Sequence, residues 1–246
     1  MVSVHCQSIA TPRNGQNRGQ IVRAAIFDLD GTLADTSGDL LNAANVVLAP
    51  EDLPLLTPGP DTPFAGRGGR EMIRRSLSLA GRPIDGAEEV ALTDRLYPLL
   101  LEAYSAALAV ETRLYDGVEA CLDALEDDGW RIGVCTNKPE RLALGVLDAL
   151  GIRARFPAIL GADTLPVRKP DPLHLTETAR QIGADPTRAV MIGDTLTDLT
   201  TARRAGVPCI LTTFGFAAEP LDELAPDAIV DHYDQIASTC ARLAAA

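Results

Sequence analysis

The chain has 246 residues, 46% hydrophobic and 23% charged, which fits one large globular domain or a core with a smaller accessory domain. Its net charge of −12 argues against a nucleic-acid partner, which would need clustered cations, and no run approaches the roughly 20 consecutive apolar residues of a membrane helix. An anionic ligand must therefore be captured by local positive charge and metal, against the field of the whole protein.

Residues 1–20 are polar, carry Arg13 and Arg18 and contain no apolar stretch, so they do not read as a secretory signal. A disordered lead-in is expected there. The five cysteines (Cys6, Cys121, Cys135, Cys209 and Cys240) are scattered, three of them within apolar runs. That pattern favours buried free thiols in a reducing cytoplasm over a disulfide framework. Of the 22 basic residues only Lys138 and Lys169 are lysines.

Arg23 to Phe27 is a short apolar run ending abruptly at Asp28, as expected of a buried strand with acidic residues at its carboxyl end. Residues 38–113 then read as mostly helical, over Asp39 to Leu48, Arg70 to Leu79 and Glu88 to Leu108, with a proline-rich loop from Pro50 to Pro63. From Asp116 onward strands and helices alternate. Strands are expected at Arg131 to Thr136, Ala158 to Gly161, Ala189 to Ile192, Pro208 to Leu211 and Ala228 to Val230. Helices are expected at Val118 to Leu125, Pro139 to Leu150, from Asp171 to near Gly183, and from the Gly193-Asp194 turn to Arg204. A small helix from Gln235 to Ala244 closes the chain.

This alternation predicts an α/β fold: an open, Rossmann-like parallel sheet covered by helices on both faces, with an inserted α-helical cap. The expected division is a core of residues 21–37 and 114–246 and a cap of residues 38–113. Ligands of such sheets sit outside the carboxyl ends of the strands, and four polar motifs fall there.

In Asp28-Leu29-Asp30-Gly31-Thr32, two carboxylates at i, i+2 can face one pocket once the chain turns at Gly31. One can attack phosphorus while the other delivers and removes a proton. Carboxylates this close repel each other, so a cation is wanted between them. Thr136-Asn137-Lys138-Pro139 places a hydroxyl and backbone N–H groups at a helix start, suited either to a phosphate oxygen or to ordinary capping. Lys169, in Arg168-Lys169-Pro170-Asp171-Pro172, can neutralise a phosphoryl group or stand as a solvated cation. Gly193-Asp194-Thr195-Leu196-Thr197-Asp198 supplies carboxylates for a hard cation such as Mg²⁺, or acids at a helix start.

Together the strings FDLDGTL, CTNKP, VRKPDP and IGDTLTD resemble the four motifs of the haloacid dehalogenase superfamily, in order, from about Arg23 to the C-terminus. Within it the chain is similar to the phosphoglycolate phosphatase branch, given TNKP, the spacing of KPDP and the Gly66-Arg67-Gly68 of the insertion. The resemblance implies a Mg²⁺-dependent phosphatase acting on a small phosphorylated metabolite, 2-phosphoglycolate first, through an aspartyl phosphate. It makes Asp28 the nucleophile and a metal ligand, and Asp30 the acid/base, also a metal residue through its backbone carbonyl. Thr136 and Lys169 would bind the phosphoryl group with Asn137 beside them, and Asp194 would complete the metal site, with Asp198 supporting it either as a ligand or from behind one. Arg67 or Arg70 would reach a substrate carboxylate, or else start a helix as solvated arginines. TPGPDTP departs from the branch's pattern within the cap, which sets substrate choice. A phosphatase or mutase acting on pyrophosphate, a nucleotide or a sugar phosphate stays open, as does the choice between monomer and homodimer.

Two neighbours in the superfamily are excluded by residues. An ion pump would carry lysine where Asp30 stands, and a phosphonate-cleaving enzyme needs a cap lysine that residues 38–113 lack.

Overall fold

The computed structural model describes residues 22–82, 86–217 and 219–245. The expectation of a disordered lead-in at residues 1–20 lies outside them. A six-stranded sheet forms the centre, in the order β5-β4-β1-β6-β7-β8 with every pairing parallel. Its strands are β1 (Ala24–Phe27), β4 (Arg131–Cys135), β5 (Ile159–Leu160), β6 (Ala189–Gly193), β7 (Cys209–Thr212) and β8 (Ala228–Val230).

β1 has the composition of a central strand. Its four residues are fully buried and it pairs with β4 on one side and β6 on the other. Alternate side chains then enter two different cores. Ala25 and Phe27 join a cluster with α5 (Val118–Asp127), α6 (Glu140–Ala149) and α9 (Ile236–Ala244), whereas Ala24 and Ile26 join α7 (Pro172–Gln181) and α8 (Leu196–Ala205). Continuous apolar runs with helices on both faces are what a buried parallel sheet requires.

The chain builds outward from β1 to β4 and β5, then crosses back to β6 and continues to β8. The strand order therefore reverses beside β1. That switch opens a crevice at the carboxyl ends of β1, β4 and β6, where all four motifs lie.

The helical stretch is inserted between two very short strands, β2 (Ala34–Asp35) and β3 (Arg113–Leu114), which pair antiparallel. Between them stand α1 (Ser37–Leu48), α2 (Thr62–Gly66), α3 (Gly69–Leu79) and α4 (Ala87–Ala106, with Pro98 inside). The buried Asp39 side chain pins the two ends together, accepting the Glu111 and Thr112 N–H groups and the Thr112 hydroxyl at 2.7–3.1 Å.

Within the proline-rich loop, α2 is a turn of helix that the sequence pattern did not signal. The loop is held by Asn45, which accepts the Leu56 N–H at 2.8 Å and donates to the Leu56 carbonyl at 2.9 Å. Asp61 adds a second clamp, accepting the Thr57 N–H and the Arg75 guanidinium, each at 2.8 Å. Among the described residues, no helix is long and apolar enough to cross a membrane.

Candidate active site

Asp28 follows the last residue of β1, and its N–H continues the ladder to the Ile192 carbonyl at 2.9 Å. The strand thus fixes the backbone that carries the carboxylate. Asp28 Oδ1 accepts the Leu29 N–H at 2.7 Å, while Oδ2 lies 2.8 Å from Lys169 Nζ. Lys169 is buried and also meets Asp198 Oδ1 at 2.7 Å. Burial alone would lower its pKa, but Asp198 and Asp28 outweigh that and hold it above the ordinary lysine range. It is a fixed positive charge against the candidate nucleophile.

Asp194 leaves β6 inside a tight collar. Its Oδ1 accepts the Thr32 hydroxyl at 3.1 Å and its Oδ2 the Phe216 N–H at 2.6 Å. Gly31 and Gly215 complete the collar by lacking side chains. A Cβ on Gly31 would stand 2.3 Å from Asp194 Oδ2, and one on Gly215 2.2 Å from the Asp194 Cβ. Gly31 also has a positive φ of 77°.

Asp198 is used differently. Its Oδ1 holds Lys169, and its Oδ2 accepts the Thr195 N–H and hydroxyl as the return arm of a capping box on α8. The sequence put Asp198 at the metal site, as a ligand or in support of one; in the structure it also anchors Lys169 and the loop bearing Asp194.

Asp28, Asp194 and Asp198 each offer an oxygen within 4.8 Å of the others. Burial pushes Asp28 up to about 6, with Lys169 opposing the rise and Asp198 adding to it. Burial, then Asp198 and Asp28, raise Asp194 well above the carboxylate range. Three buried acids share a single buried ammonium here. The oxygen-only donors and the surplus negative charge suit a hard divalent cation between Asp28 and Asp194.

Asp30 faces away from that cluster. Its Oδ1 accepts the Thr36 hydroxyl at 2.7 Å and pairs with Lys138 Nζ at 2.8 Å. Thr136, at the end of β4, is buried, and its hydroxyl accepts the Lys138 N–H at 3.2 Å, leaving the hydroxyl proton free to donate. Asn137 is turned aside, donating to the Lys169 carbonyl at 3.0 Å, so it ties two loops together.

A cavity of about 710 Å³ lies over these groups, floored by Asp28, Asp30, Thr136 and Lys169 and roofed by α2, α3 and α4. Arg67 lines its rim but pairs with Glu219 at 2.8 Å, and Arg70 pairs with Asp94 at 2.6 Å. The two cap arginines singled out by the sequence are thus both committed to carboxylates. Sequence reasoning missed Lys138 as the partner of Asp30, the Phe216 amide on Asp194, and Tyr104. The lysine count was the one available signal: both lysines are buried in this site.

Residues 25–212 match the haloacid dehalogenase-like hydrolase family. The chain belongs to that family. It is 41% identical over 211 residues to a phosphoglycolate phosphatase of Mesorhizobium japonicum, covering 86% of this chain and 91% of that one. It is 39% identical over 217 residues to the phosphoglycolate phosphatase of Caulobacter vibrioides, covering 88% and 90%. A crystal structure from Haemophilus somnus, described as a predicted phosphoglycolate phosphatase, superposes with a TM-score of 0.77 at 28% identity, covering 89% of this chain and 97% of that one. The haloacid dehalogenase-like fold expected from the motifs is the one present. The chain is an enzyme of the phosphoric monoester hydrolase type.

Proposed function

We propose that this hydrolase is a Mg²⁺-dependent phosphatase that cleaves 2-phosphoglycolate through a phosphorylated Asp28. The observation that carries the reading is the buried Lys169 ammonium 2.8 Å from Asp28, with Asp30 two residues on facing the same cavity. The Mesorhizobium japonicum and Caulobacter vibrioides relatives, both named phosphoglycolate phosphatase, support the substrate.

In this reading an Asp28 carboxylate oxygen attacks phosphorus as the bond to the ester oxygen breaks. Asp30 protonates the departing oxygen, then takes a proton from the water that hydrolyses the aspartyl phosphate and restores Asp28. Lys169 and the free Thr136 hydroxyl proton hold the phosphoryl oxygens throughout, and the backbone N–H groups that open α6 lie beside them. Mg²⁺ held by Asp28, Asp194 and the Asp30 carbonyl would neutralise charge between the nucleophile and the phosphoryl group. Asp198 keeps Lys169 in place.

Residues 38–113 act as the cap that covers the reacting groups and chooses the ester. Four buried free cysteines (Cys121, Cys135, Cys209 and Cys240) fit a cytoplasmic enzyme.

The test is phosphate release, with and without Mg²⁺, from 2-phosphoglycolate, sugar phosphates, nucleotides and pyrophosphate. The highest kcat/KM on 2-phosphoglycolate, abolished by chelation, is expected. A different leading ester would refute the substrate, and turnover in chelator would refute the metal.

A further inference from the structure

The organic end of the ester must lie beyond Asp30, because Asp30 gives its proton to the oxygen that joins phosphorus to carbon. Two polar groups wait there. Lys138, from the loop after β4, is 6% exposed, and of its three ammonium protons one is met by Asp30 Oδ1 at 2.8 Å. Its Nζ stands 4.3 Å from the ring centre of Tyr104, in the last turn of α4.

Tyr104 is 1% exposed, and its hydroxyl has no well-formed hydrogen bond among the described residues, the Lys138 ammonium beside it being its one polar neighbour at close range. A buried phenol left without a partner costs free energy, so the position is a poor choice unless a ligand completes it. Both residues line the cavity, among the apolar side chains of Leu40, Leu100, Leu101 and Leu142. Asp30 is the carboxylate already in this corner, and a second anionic acceptor would complete the hydrogen bonding of the pair. Arg67, Arg70 and Arg74 of the cap each already hold a carboxylate.

The geometry points to Lys138 and Tyr104 as the pair that recognises the substrate's carboxylate, and so as the residues that select an acid-bearing phosphate ester over a neutral one. The assignment rests on the reading of this cavity as a phosphoglycolate phosphatase site. It adds which groups do the choosing. One arm is on the core and the other on the cap, so a carboxylate bound there joins the two regions over the reacting groups. In 2-phosphoglycolate a single carbon separates the ester oxygen from the carboxylate, which matches an anchor placed directly beside Asp30.

The experiment compares kcat/KM for 2-phosphoglycolate with that for ethyl phosphate, its neutral counterpart, in the wild type and in Y104F, K138M and R67A. The expected result is a wild-type preference for the acid, with the ratio falling on the order of tenfold or more in Y104F and in K138M. R67A should keep the ratio. Y104F keeps the ring and its packing, so a folding defect does not cloud it.

If both esters slow equally in K138M and Y104F, the pair only positions Asp30 and the cap, and the inference fails while the phosphatase reading stands. A ratio that collapses in R67A alone would move the anchor to the rim. A wild type that does not prefer the acid overturns the inference and the substrate assignment together; the D28N comparison below then judges the chemistry separately.

Discussion

The floor and the roof of the cavity are built on opposite electrostatic plans. The floor buries its charges: Asp28, Asp194, Asp198, Lys138 and Lys169 are all at or below 9% exposure, each held by a strand end or a helix start. The roof sets many of its charges in half-exposed pairs, among them Arg74 with Glu71, Arg70 with Asp94 and Arg95 with Glu51, and among the described residues it buries acids (Asp39, Asp61 and Glu89) but no base. Exposed pairs of this sort contribute little and weaken with salt, whereas buried charges must be matched or they shift their protonation. In the proposed reading the floor's fixed charges serve the chemistry, while the surface pairs of the roof can change without disturbing it.

The largest break in that contrast comes from the proposed nucleophile. Asp28→Asn should lower phosphate release by about 10⁴-fold or more while the protein stays folded, as circular dichroism would show. A variant with wild-type turnover would place the chemistry elsewhere. Next is the collar: Gly215→Ala puts a methyl 2.5 Å from Asp194 Oδ2 and should cost about 100-fold in kcat by moving that carboxylate. Retained activity together with an unmoved Asp194 would mean that the collar can relax.

Asp39→Ala tests where the two regions join. It strands two buried or half-buried N–H groups and a hydroxyl, so urea unfolding should show a loss of about 2–4 kcal/mol.

His174 gives a smaller, pH-dependent effect. Burial, then the positive charge of Lys169, lowers its pKa to about 4, although the Gly161 and Leu160 carbonyls and Asp171 favour the proton. Its Nδ1 accepts the Lys169 N–H at 3.2 Å. The unfolded chain binds this proton below pH ~6.5 and the folded one only near 4, so the stability is complete above 6.5 and is lost between those values. His174→Asn, which keeps an acceptor, should flatten the acid limb by about 2 kcal/mol at pH 4.5. An unchanged limb would assign acid unfolding to other groups. Smallest of all, Arg67→Ala should leave Tm within about 3 °C, since its pair with Glu219 is exposed. A larger drop would mean that the rim pair holds the roof closed.

Much of the floor was legible because its signals are local. An apolar run that stops at an acid marks both a strand and its reactive end, and β1, β4 and β6 fall where the pattern put them. The connections between motifs were not legible. Asp30 and Lys138 are 108 residues apart, and nothing in either loop announces the other. The Phe216 amide that holds Asp194 belongs to the backbone, which every residue carries, so no residue type marks it. β2 and β3 are two residues each, too short to show a period of two. Whether Asp198 binds a metal directly or supports the residues that do was not legible for a related reason: an acid in a metal cluster and an acid capping a helix have the same letter.

The ribbon of β2 and β3, locked by Asp39, brings the two ends of the insertion side by side. A segment that leaves and returns at one point can be shortened, lengthened or exchanged without altering the register of the sheet beneath it. Related proteins can therefore inherit the same reaction and diverge in diet by replacing a single cassette. An engineer could graft a foreign insertion between Asp35 and Arg113 by the same route.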